Sequence, residues 1–115
     1  LEGDKQPPDA ADLEYLRGYL ASALPELQKH FAGTPQDSHA ADALKRLDPL
    51  AGIMAQLSAE AVKDLVQFCR NIESGKWGPA DEDLIHVAKE HSKEINTTIL
   101  TGLRLFKKLS MSLSH

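Results

Sequence analysis

Residues 58–75 read SAEAVKDLVQFCRNIESG, and their spacing sets the fold class. Val62, Leu65, Val66, Cys69 and Ile72 recur at intervals of three and four, which puts them on one side of a helix. Ser58 has the short side-chain oxygen that accepts the free N–H groups of a first turn. Glu60 suits the positive end of the helix dipole, and Gly75 can take the left-handed conformation that closes a helix.

The same period runs outward in both directions. Towards the N-terminus, Leu13, Leu16, Leu20, Leu24, Leu27 and Phe31 form the stripe of a first helix, with Asp9 or Asp12 as its cap. Pro25 lies inside it and predicts a kink rather than a break, because the stripe keeps its phase across the proline. Gly33 and Pro35 end it. Asp37 and Ser38 are good caps for a second helix with the stripe Ala40, Leu44, Leu47, Ala51, Met54 and Leu57. Asp48-Pro49 interrupts that stripe, so residues 38–57 are one kinked helix or two short ones.

Towards the C-terminus, Gly75-Lys76-Trp77-Gly78-Pro79 reads as a loop. Beyond it Leu84, Ala88, His91, Ile95, Ile99, Gly102, Phe106, Leu109 and Leu113 hold one helical phase. Acids at 81–83 and bases at 104, 107 and 108 match the two ends of a helix dipole. The spacing predicts one helix over about 81–109, roughly 40 Å long and the longest in the chain. No alternating run is long enough for a strand. The expected fold is all-α, an antiparallel bundle of about four helices. Residues 1–8 form a flexible arm, 9–110 a single domain and 111–115 a tail. Leu16, Leu20, Leu27, Leu44, Met54, Leu65, Ile95 and Phe106 are the expected core.

Composition narrows the function. The chain has 115 residues, enough to bury a core without metals or disulfides. Its net charge of −4 argues against nucleic acid as a partner, since neutralising phosphates needs a basic face. No apolar run approaches the roughly 20 residues of a membrane span. Cys69 is the only cysteine, which points to a reducing, cytoplasmic setting. The chain does not begin with Met, so it is either processed or an excised piece of a larger protein.

Candidate chemistry is sparse. His86 falls off the apolar stripe, with Lys89 and Lys93 on nearby turns. An exposed imidazole beside ammonium groups can accept a phosphoryl group, the nitrogen as nucleophile and Lys89 balancing charge. A plain solvated histidine is the simpler account. His91, on the stripe, reads as a hydrogen-bonded core or edge histidine. His86 and Glu90 have helical metal-ligand spacing, but two ligands do not make a site, so no metal and no cofactor are expected. Cys69 reads as a small core residue. Trp77 packs back over the bundle or anchors a partner. Leu103, Phe106, Leu109 and Leu113 continue the last stripe past the other helices and form a candidate surface for a partner or a second copy. Gly102, on that stripe, allows another backbone to approach closely.

Two segments resemble histidine-containing phosphotransfer domains. Leu20-Ala-Ser-Ala-Leu-Pro-Glu-Leu27 is similar to the first helix of that family, with its Leu-Pro-Glu-Leu step. Ala40-Ala-Asp-Ala-Leu-Lys-Arg46 resembles the stretch around the phospho-accepting histidine, roughly Ala-His-x-Leu-Lys-Gly. Leu44 and Lys45 match, Asp42 stands where the histidine belongs and Arg46 replaces the glycine. Phe68–Glu73 is similar to the following helix. The resemblance covers about residues 13–74. It implies a degenerate module that docks a partner without carrying phosphate.

The expected function is therefore a non-catalytic, non-enzymatic interaction or regulatory domain that docks a protein partner. The alternatives are phosphotransfer at His86 and a self-associating structural bundle.

Overall fold

Short polar side chains start three of the helices. Asp9 accepts the N–H of Ala11 at 2.8 Å, Ser58 that of Ala61 at 3.2 Å, and Asn96 that of Ile99 at 2.9 Å. The computed structural model describes residues 7–76 and 82–113. Within them lie α1 (Ala10–Phe31), α2 (Asp37–Ile53), a 3₁₀ turn (Met54–Gln56), α3 (Ala59–Ser74), α4 (Glu82–Glu90) and α5 (Thr97–Leu113), with no strand among the described residues. The all-α class stands as expected. No described helix is long and apolar enough to cross a membrane.

α1 runs unbroken through Pro25. α2 likewise runs through Pro49, so residues 37–53 are one helix that tightens into the 3₁₀ turn. Neither Asp37 nor Ser38 caps it; the Asp37 carboxylate instead accepts the N–H of Gly33, whose positive φ reverses the chain after α1. Gly75 closes α3 in the left-handed conformation, donating its N–H to the carbonyls of Asn71 and Ile72.

The long final helix is not there. It divides at residues 91–96 into α4 and α5, which makes α1, with 22 residues, the longest helix among those described. Periodicity is silent here, because the apolar stripe stays in phase across the division. The cause is local and tertiary together. Asn96 bonds to the backbone of the following turn, which competes with continued helix. His91 and Glu94 are committed to α3, through Asp64 and Ser58. Replacing Asn96 with alanine should cost about 1 kcal/mol of stability by chemical denaturation, as lost N-caps do. An unchanged midpoint would mean that α5 does not depend on this cap.

α5 packs mainly on α2; α1 lies against α2 and α3, and α4 against α3 and α5. Leu16, Leu20, Leu27, Met54, Leu65, Ile95 and Phe106 are buried as expected. Leu44 is not. α2 turns inward the row Ala40, Ala43, Leu47 and Leu50, continued by Met54 of the 3₁₀ turn, which leaves Leu44 partly exposed and Ala51 exposed. Tyr15 and Tyr19 stack in parallel, Arg70 lies 4.7 Å over the Tyr15 ring, and the Tyr15 hydroxyl donates to Glu73 at 2.9 Å, tying α1 to α3.

Candidate functional site

Two concave features stand out, and each follows from how neighbouring helices present their side chains. The first is an apolar groove between α1 and α2. On α1, Leu20 and Leu24 point to it, and the small Ala21 and the ring of Pro25 leave space between them. On α2, Leu44, Leu47 and Ala51 form the other wall, and Met54 closes one end. The inward row of α2 explains it: Leu44 and Ala51 each follow an inward residue by one position, about 100° around the helix, so they line an edge. The groove holds about 440 Å³. Its charged residues are Arg17 and Asp48, one on each helix.

The second feature is a cleft at the junction of α3 and α4. Asp64 sits on α3, His86 on the outer face of α4, and His91 in the turn that follows. His91 Nε2 lies 2.6 Å and His86 Nε2 3.1 Å from the same oxygen, Asp64 Oδ2. The two imidazole rings are nearly perpendicular, 6.3 Å apart. His91 is 4 % exposed, while His86 is open to solvent. On its other side, His91 Nδ1 faces Glu94 Oε2 at 3.7 Å. Glu94 in turn accepts both the N–H and the hydroxyl of Ser58. Glu60, Lys63 and Glu90 complete a cleft of about 330 Å³.

The expected site residues distribute unevenly over these features. His86 lies in the second cleft, but Lys89 does not line it; Lys63 of α3 stands there instead. Glu60, Asp64 and Glu90 outnumber Lys63, and this acidic lining opposes a phosphoryl group on His86. Leu103, Phe106 and Leu109 are buried within the chain, so the expected partner surface is corrected to core: α5 packs along α2, and Phe106 meets Tyr19 of α1. Only Leu113 of that set is exposed. Gly102 does permit a close backbone approach, but to α2 of the same chain. Trp77 lies outside the described residues. Cys69 is buried, and desolvation pushes its thiol up to about 12, so it is no nucleophile near neutrality.

No protein-family model, curated protein or solved structure matches this chain.

Sequence reasoning missed Asp64, because its partners lie 22 and 27 residues away and helical periodicity relates only residues a few positions apart. It also kept the two histidines apart. Five residues along an unbroken helix, they would point about 140° from one another. The turn at residue 91 lets both reach one carboxylate oxygen.

Proposed function

We propose that this chain is a non-catalytic interaction module whose α1–α2 groove receives an amphipathic helix of a partner protein. The observation that carries this reading is the groove itself, lined by Leu20, Leu24, Leu44, Leu47 and Met54. From Arg17 to Pro25 it extends along nine residues of α1, about 12 Å, or two helical turns. A helix laid there presents anchors at spacings of three, four and seven, the usual way an apolar groove recognises a helix. Arg17 and Asp48 offer opposite charges, which selects a partner helix carrying an acid and a base beside its apolar face. The lining is mostly hydrocarbon, so it has little with which to orient a polar metabolite.

Half of the groove lining, Leu20, Ala21, Leu24, Pro25 and Leu44, lies in the two segments that resemble phosphotransfer domains, residues 20–27 and 40–46. Asp42, at the place of the phospho-accepting histidine, is engaged by Arg46 at 2.9 Å. A docking role without phosphate transfer accords with that resemblance and with the engaged Asp42.

Selection of displayed helical peptides on the purified chain tests the proposal. Amphipathic helices should be enriched, and their affinity should fall at least tenfold in Ala51→Arg, which adds a long charged side chain at an exposed wall position. The variant's unfolding midpoint should stay within error of the parent, as for surface changes generally. Binders indifferent to Ala51→Arg, or no enrichment at all, would end the groove reading.

A further inference from the structure

We propose that Asp64, His86 and His91 bind a transition-metal dication, with Zn²⁺ the best-fitting ion, and that the bound ion fastens α4 to α3. The proposal is independent of the groove. The three ligand atoms come from α3, α4 and the following turn, and all lie within 4.8 Å of one another. Ligands bound at about 2.1 Å in tetrahedral geometry sit roughly 3.4 Å apart, so the cluster needs side-chain adjustments of about an ångström, not backbone movement. Two imidazoles and one carboxylate are a donor set for zinc and its neighbours, whereas calcium and magnesium require cages of oxygen.

Three further features suit a cation. Both imidazole Nε2 atoms already converge on Asp64 Oδ2, so a metal would replace these hydrogen bonds with three bonds to one ion. The cleft wall adds Glu60 and Glu90 against the single Lys63, a surplus of negative charge that a dication relieves. The buried His91 has the Glu94 carboxylate 3.7 Å from its other ring nitrogen, a further negative charge that favours a cation on the imidazole. Glu94 is itself held by two hydrogen bonds from Ser58, at the N-terminus of the helix that carries Asp64. Glu94 is thus a positioning residue that ties the turn to α3. Three protein ligands facing an open cleft leave a fourth position for water.

Titration calorimetry of the tag-free full chain with ZnCl₂ tests this, together with Co²⁺ absorption spectra and thermal melts. One ion per chain should bind with a Kd in the micromolar range or below. Co²⁺ should show the visible bands of a four-coordinate site, and saturating Zn²⁺ should raise the melting temperature. His86→Ala changes an exposed side chain, so it should fold normally and bind Zn²⁺ at least tenfold more weakly. Asp64→Asn should do the same. His39→Ala, on α2, should bind as the parent does. Glu94→Gln should keep the stoichiometry and weaken binding less than His86→Ala. No micromolar binding to the parent chain, or binding that survives His86→Ala unchanged, overturns the proposal.

Discussion

Phe106→Asp should leave no cooperatively folding protein. Phe106 is fully buried on α5 and meets the Tyr19 ring edge-on, with centroids 5.9 Å apart. Truncation of such a side chain to alanine costs about 3–5 kcal/mol. A carboxylate there adds the price of a buried charge, which several kcal/mol describe conservatively. A small domain has about 5–15 kcal/mol in total, so the variant exhausts it. Circular dichroism should show loss of the cooperative thermal transition, and the protein should be recovered mainly as aggregate. The same substitution separates core from interface. A folded Phe106→Asp protein that had merely become monomeric or lost a partner would mean that Phe106 does not belong to the core.

Gly102→Ala and Gly18→Ala should move stability in opposite directions, although both put the same methyl group inside a helix. At Gly18, in α1, an added Cβ meets nothing within 4 Å. Only the propensity gain remains there, about 0.5–1 kcal/mol in favour of alanine. At Gly102, in α5, the Cβ would stand 2.8 Å from Leu47 Cγ and 2.9 Å from Arg46 Cβ. Leu47 can adjust its rotamer, but Arg46 Cβ is fixed to the α2 backbone, so the helices must separate. Overpacking of this kind costs about 1–3 kcal/mol, which outweighs the propensity gain. Urea midpoints should therefore rise for Gly18→Ala and fall for Gly102→Ala. A stabilised Gly102→Ala would show that α5 and α2 are farther apart than described.

Much of the molecule was legible from spacing alone. The stripe from Leu16 to Phe31, the stripe from Val62 to Ile72 and the cap at Ser58 are local patterns, and they appear where the residues place them; of the two caps open to α1, Asp9 and Asp12, the structure uses Asp9. The all-α class follows, because apolar residues at helical intervals can be buried together only if the backbone is helical. The buried identity of His91 was legible too, since it sits in phase with Leu84 and Ile95.

What the sequence by itself determined, then, is which segments are helical and roughly which side of each seeks the interior, because both depend on neighbours within two turns. Tertiary structure decided the rest. Together with the local cap at Asn96, it divided residues 82–113 at His91, where hydrogen bonds joining His91 and Glu94 to α3 replace continued helix. It turned α2 so that Ala43 and Leu50 face inward and Leu44 lines a groove, a choice between adjacent rows that periodicity leaves nearly equal. It buried Phe106, edge-on to Tyr19 of α1, and brought α5 close to α2 at Gly102. And it brought Asp64 to two histidines more than 20 residues away. Each of these depends on which helices become neighbours, and that is settled by packing between surfaces, for which one-dimensional spacing carries no coordinate.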